Sequence, residues 1–210
     1  VKVVANSLSS KVVAEARDYL AQKAVEAALI AADKVNGGYN LDLDWIKVEK
    51  KKGKSLYETQ LIQGIVLDKE VVHPDMPKMV TNAKIALLDT PLEIEKPEWT
   101  TKISVSSPQQ IKGYLEEETS ILKSYVDKLK SIGVNVVIAQ KGIDDTAQHF
   151  LAKAGIMAVR GGKRSDIEKL AEATGAQIVT SLKDIKPEDL GTAGVVEGRK
   201  VGEEKMGVVE

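Results

Sequence analysis

The chain has 210 residues, enough for one large domain or a domain with a smaller module, and with 43% hydrophobic residues it can bury a real core. Thirty basic residues against 31 acidic ones leave a formal net charge of -1, so no global field draws it to nucleic acid or an anionic membrane. The absence of cysteine excludes disulfides, thiolate zinc sites and cysteine nucleophiles and fits an intracellular protein, while two histidines, His73 and His149, argue against an all-protein transition-metal site.

The opening "VKVVANSLSS" has neither an initiator methionine nor the apolar core of a signal, and the chain ends on the strand-like "KMGVVE". It therefore reads as a piece of something longer. Ser9 or Ser10 can cap a helix predicted from about Lys11 to Val35, which Gly37 and Gly38 would end. Its alanine-rich part, "LAQKAVEAALIAADKV", carries Gln22, Lys23, Glu26 and Asp33 and is too polar to span a bilayer. Next, "LDLDWIKVEKKKGKS" predicts a strand running into a basic loop. The run "KVEKKKGK" reads as a phosphate patch or a solvated hairpin tip, and the second is preferred.

From Thr59 the pattern changes to short strands, "QLIQGIVLD", "KIALLDTPLEIE" and "TKISVSS", separated by proline-containing turns, which sets a module boundary near Gly53 to Thr59. Pro108 suits the first turn of a helix reaching about Ser131 and ending at Gly133. Leu122, Tyr125, Val126, Leu129 and Ile132 give its second half a buried stripe. Its first half carries Ile111, Tyr114 and Leu115 ahead of an acidic break, as if projecting from the body. Strands and helices then alternate: "VNVVIAQ", a helix from Asp144 to Ala154, "GIMAVRG", a helix from Asp166 to Thr174 and "AQIVTS". Short parallel strands with crossover helices follow, with Ser165 and Glu168 as a capping box for the second helix. A strand pair in "GVVEGRKVGEEKMGVVE" completes the chain.

The candidate chemistry is thin. In "RGGKRSD" a P-loop would need glycine where Met157 stands and Ser or Thr where Arg164 stands, so a basic turn before a helix is the better reading. No G-x-G-x-x-G, G-x-S-x-G or S-x-x-K occurs. Asp144 and Asp145 could be an acid/base pair, but at a helix start they complement free backbone N–H groups and diverge around the helix axis. On that helix Ile143, Ala147, Phe150, Leu151 and Ala154 face a core, leaving Asp145, Gln148, His149, Ala152 and Lys153 outward. His73, before Pro74 in a turn, reads as structural.

The ordered stretches "NSLSSKVVAEARDYL", "ETQLIQGIVLDKEVVHPDMPK", "NAKIALLDTPLEIEKPE", "NVVIAQKGIDDTAQHFLAKAGIMAVR", "RSDIEKLAEATGAQIV" and "GRKVGEEKM" resemble the group II chaperonins, the thermosomes of archaea and their eukaryotic cytosolic relatives. The resemblance covers essentially the whole chain. It departs at Ala139, where relatives often have cysteine, and at Gly161 and Gly162, where they are more uniformly basic.

This resemblance implies an α/β fold: a layered apical-domain-like unit with a protruding helix, plus a partial α/β intermediate domain. Residues 1–58 would be the first part of the intermediate domain and 59–200 the apical domain, with a helical protrusion at about 100–131 and a strand at 201–210 returning to the intermediate domain. The family's "GDGTTT"-type nucleotide loop is missing from this sequence, and its catalytic aspartate would lie beyond Glu210. The resemblance thus implies no cofactor and no catalysis in this chain, with ATP and Mg belonging to the intact parent. Lys11 matches the lysine that senses the nucleotide in that parent. Ile103, Val105, Ile111, Tyr114 and Leu115 would lie near the end of the protrusion, contacting neighbouring lids or non-native client proteins. The helix from Asp144 would face a central chamber, with Asp145, Gln148, His149 and Lys153 as client contacts. Other subunits of a cytoplasmic double ring are the implied partners, with neither nucleic acid nor membrane among them. Alone, the chain is expected to be monomeric or weakly associated and to bind clients weakly, since the avidity of the ring is lost. Two readings stand beside this one: a small α/β enzyme taking phosphorylated ligands through Lys141, Lys163 and Arg164, and an assembly module without client contact.

Overall fold

A computed structural model of the chain describes residues 1–93, 108–160, 163–201 and 204–210, with the backbone alone for 108–115. The described residues form two compact units, Val1–Gly64 with Lys200–Glu204, and Ile65–Arg199 with Lys205–Glu210. The expected strand "TKISVSS" lies outside the described residues.

In the first unit, helix α1 (Lys2–Leu8) precedes α2 (Arg17–Ala31) and a hairpin of β1 (Ala32–Val35) and β2 (Gly38–Leu41). This corrects the single helix predicted over 11–35 at both ends. Ser9 does not cap α2: its hydroxyl donates to the Asn6 carbonyl at 2.6 Å and closes α1. At the other end Val35 pairs with Gly38 across Asn36-Gly37, a two-residue turn whose glycine has φ +99. Asn-Gly between strands is a strong hairpin signal, and here it overrides the helix propensity of the preceding alanines. The strand expected over "LDLDWIKVEK" is also replaced. Asp42 accepts the Asp44 N–H at 2.9 Å and starts a one-turn 3-10 helix, Leu43–Trp45. Tyr19 and Tyr57 fasten α2 to the segment after it. The Tyr19 hydroxyl donates to Thr59 O at 2.7 Å, the Tyr57 hydroxyl donates to Glu15 O at 3.0 Å, and the ring centroids are 5.5 Å apart.

The second unit is built on a seven-stranded sheet of β3 (Ile65–Leu67), β4 (Met79–Leu88), β5 (Val136–Ala139), β6 (Met157–Arg160), β7 (Ile178–Val179), β8 (Gly191–Val201) and β9 (Glu204–Val209). The strand order is β3-β9-β8-β4-β5-β6, with β7 beside β4. Strands β5, β6 and β7 join it in parallel, while β8 runs antiparallel to the start of β4 and β9 antiparallel to β3. Of the segment expected to return to the first module, Glu204 groups with the first unit, while Lys205–Glu210 groups with the second, where Val209 pairs opposite Ile65.

Residues beyond β3 link the two ends of this sheet. Lys69 O accepts the Gly207 N–H at 2.8 Å on the β9 side, whereas the Val72 N–H donates to Ala158 O at 3.0 Å and Val71 bridges Val159 on the β6 side.

Helices cover both faces, which explains why "IALL", "VVIA" and "MAV" are continuous apolar runs and not alternating ones. Ala86, Leu88, Val137, Ala139 and Ala158 point to one core, completed by Leu122, Val126 and Leu129 of α3 (Pro108–Ser131) and by Ala147 and Leu151 of α4 (Asp145–Ala154). Ile85, Leu87, Val136, Ile138, Met157 and Val159 point to the other, against Ile167 and Leu170 of α5 (Arg164–Thr174). The period-two alternation along each strand supplies both cores from one sheet. Helix α5 does not start on the predicted Ser165–Glu168 box. Lys163 occupies its N-cap without a side-chain bond, and Glu168 is held by Arg164 Nε at 2.9 Å.

Candidate functional site

Helix α4 is set firmly at both ends. Asp144 is its N-cap, accepting the Thr146 N–H at 2.8 Å, and Gly155 closes it in the left-handed conformation at φ +74. Of the two aspartates considered as an acid/base pair, Asp144 is therefore engaged in capping. Asp145 is exposed and takes a hydrogen bond from Gln148 Nε2 at 3.2 Å.

The inner side of the helix is packed. Ala147 and Leu151 are fully buried, and α3 lies against α4. Gln148 joins this inner side, contrary to its predicted outward position. It is only 6% exposed, and its side-chain amide donates to Ile143 O at 2.8 Å as well as to Asp145. A side chain flanking an apolar stripe is drawn in when a neighbouring carbonyl gives its amide a partner, because burial without one is costly. Gln148 is thus a support of the helix, its amide committed to Ile143 O and Asp145.

The outer side keeps Asp145, His149 and Lys153 exposed, with Phe150 half-buried beside them. The structure adds a residue that sequence reasoning placed elsewhere. His73, half-buried in the turn after the sheet-closing segment, sets its ring centroid 6.3 Å from that of His149 at an interplanar angle of 60°, and His149 lies 6.4 Å from Phe150. His73 is oriented by its own turn, where its Nδ1 accepts the Asp75 N–H at 3.2 Å. Two imidazoles and a phenyl ring, rimmed by the carboxylates of Asp145 and of Asp75, the latter 3.9 Å from His73 Nδ1, and by the Lys153 ammonium, make a surface suited to mixed apolar and polar contacts. Among the described residues there is no group of three or more His, Cys, Asp or Glu side chains that could hold a metal ion.

The remaining candidates are dispersed. Ile103 and Val105 lie outside the described residues, as do the side chains of Ile111, Tyr114 and Leu115 in the N-terminal part of α3. Lys11 is exposed in the turn between α1 and α2. Of the three cations considered for a phosphorylated ligand, Arg164 is occupied. Its guanidinium bonds Glu168 and approaches Asp89 at 4.0 Å, and these carboxylates raise its pKa, the hydrogen bond to Glu168 first. Lys141 opens instead onto a cleft with Arg160 and Lys69, and Lys163 and Arg164 are not among its lining residues. No described helix is long and apolar enough to cross a membrane.

The TCP-1/cpn60 chaperonin family model matches residues 1–210. Thermosome subunit beta of Aeropyrum pernix is 60% identical over 208 residues, which cover 99% of this chain and 38% of that protein. Thermosome subunit alpha of Saccharolobus solfataricus is 57% identical over 212 residues, covering 100% of this chain and 38% of its own length. Among solved structures, an open-state monomer of a group II chaperonin from Methanococcoides burtonii superposes with a TM-score of 0.76 at 36% identity, over 99% of this chain and 46% of that one. The chain therefore spans 38% of the length of the curated relatives it matches so well. On the whole-chain family match, the identity to thermosome subunits and the shared fold, the chain belongs to the TCP-1/cpn60 chaperonin family.

Proposed function

We propose that the chain is the client-binding and lid-forming part of an archaeal, cytoplasmic, ATP-dependent group II chaperonin that encloses and folds non-native proteins. The observation that carries the reading is the build of α4. One side is locked by Leu151, Ala147 and the Gln148 amide, while Asp145, His149 and Lys153 are presented to solvent next to His73. A rigid support under an adaptable, mixed surface suits a partner without fixed shape. Each contact is weak, and a ring of such surfaces multiplies them.

In this reading the first unit belongs to the intermediate domain and the second to the apical domain. Ile103, Val105, Ile111, Tyr114 and Leu115 complete the lid, and other subunits of the ring are partners together with clients. ATP and Mg belong to parts of the full-length protein other than this chain. Lys11 is the one nucleotide-linked position the family pattern carries over. This chain alone is read as non-catalytic.

The test is addition of the 210-residue chain in molar excess to a denatured client, with aggregation followed by light scattering and binding by amide chemical shifts. Slower aggregation with shifts on α4 and around His73 is expected. Unchanged aggregation together with unchanged shifts there would sink the proposal.

A further inference from the structure

A cleft of about 540 Å³ opens where β5 and β6 end, its lining reaching Gly142 in the loop that leads into α4. Three cations reach it from three separate segments. Arg160 is the last residue of β6, Lys141 follows β5, and Lys69 lies in the segment that links the sheet ends. All three are exposed, and among the described residues none of them forms an ion pair. Of the carboxylates nearby, Glu70 faces Lys205 at 3.5 Å, which offsets its charge, and Glu93 lies against Gly142. The balance at the opening is positive in a chain whose total is -1.

Gathered like charges repel each other, and an anionic group placed among them relieves that repulsion. The shape of the cleft favours one kind of anion. Its walls include Val71 and Val72, which offer apolar surface beside the charges. A compact phosphate would gain nothing from those walls, whereas an extended chain uses both charge and apolar surface. The wall also leads to α4, because Val72 precedes His73, whose ring meets His149.

We infer that this cleft takes acidic residues of an extended, non-native polypeptide that lies along α4. The inference rests on the reading above that unfolded polypeptide is the substrate and adds the chemical class of segment preferred.

The test is fluorescence anisotropy with a labelled disordered peptide carrying an apolar half and a glutamate-rich half, compared with the same peptide bearing glutamine at those positions. At low ionic strength the glutamate peptide is expected to bind the 210-residue chain about tenfold more tightly, an advantage that shrinks as salt screens exposed charges. Lys141→Glu combined with Arg160→Glu removes the advantage, and the milder Lys69→Gln lowers it about threefold. Lys123→Glu with Lys130→Glu, the same charge change on exposed positions of α3, leaves it intact. Equal binding of the two peptides overturns the inference while leaving the client reading standing. So does an equal loss in the α3 variant, or stronger competition by tripolyphosphate or an RNA oligonucleotide than by unlabelled glutamate peptide. Failure of both peptides to bind overturns the client reading and the inference with it.

Discussion

His73 and His149, the two histidines of the chain, face each other edge-on at 6.3 Å although one ends the sheet-linking segment and the other rides on α4. The contact pins a turn to the exposed side of a helix and puts two imidazoles on the proposed client surface. His149→Ala removes an aromatic contact that is open to solvent, so the stability loss is expected to be about 0.5 kcal/mol, the low end for such pairs. Client binding should fall more visibly, and the ring resonances of His73 should shift. Equilibrium denaturation, the aggregation assay and NMR together check this. Unmoved His73 resonances would show that the rings do not meet in solution.

Gln148 makes the opposite case, a polar residue acting from inside. Gln148→Leu keeps the volume and removes the donor to Ile143 O, so a cost of about 1–3 kcal/mol in urea unfolding is expected. His149→Ala should affect binding with little change in stability, whereas Gln148→Leu should affect stability first. A Gln148→Leu variant as stable as the parent would mean that the amide bond to Ile143 contributes nothing.

The difference between these residues shows what was legible in the sequence. The strand and helix alternation from Val136 onward was legible because the elements carry their own signals: apolar runs for strands buried on both faces, and aspartates at the start of α4. Gln148 was misplaced because its position borders the apolar stripe, and the carbonyl that draws it inward appears only once the chain before α4 is folded. The partnership of His73 with His149 depends on residues 69–72 joining the sheet ends, a non-local arrangement that no local pattern encodes. The hairpin after α2 is a different matter: "VNGG" did announce it, and the alanine-rich helix signal was extended over it. Ile103 and Val105, proposed for the lid, lie outside the described residues.

That hairpin gives a paired substitution. Gly37 sits at φ +99 with open space around it, so Gly37→Ala meets no clash and costs only backbone strain, about 1–2 kcal/mol. Gly38, equally open but without a positive φ, should accept alanine with no loss. Hydrogen exchange at Asp33 and Asn40, a hydrogen-bonded pair of the hairpin two residues from Val35 and Gly38, reports the difference. Faster exchange in Gly37→Ala and unchanged exchange in Gly38→Ala is the expected pattern, and equal behaviour of the two would contradict the turn assignment.

On α2, Glu26 accepts from Lys23 Nζ at 2.9 Å and from Gln22 Nε2 at 3.0 Å. The Lys23 bond first, and then the Gln22 bond, holds its carboxyl below the ordinary carboxylate range, while the Lys23 ammonium is raised above its own ordinary value, chiefly by the hydrogen bond to Glu26. The signs fix the pH window. A depressed carboxyl contributes to stability above its unfolded pKa and loses that contribution as pH falls through the lower folded value. A raised ammonium contributes below its unfolded pKa and loses that contribution as pH rises through the higher folded value. The cluster therefore supports α2 across the neutral range and releases it at both extremes, weakly, because the pair is partly exposed. A carboxyl carbon NMR titration should find Glu26 among the most acidic glutamates of the first unit, and Lys23→Met should return it toward the ordinary range. If Glu26 titrates in the ordinary range in the parent chain, or if Lys23→Met leaves its titration unchanged, Lys23 is not what holds it.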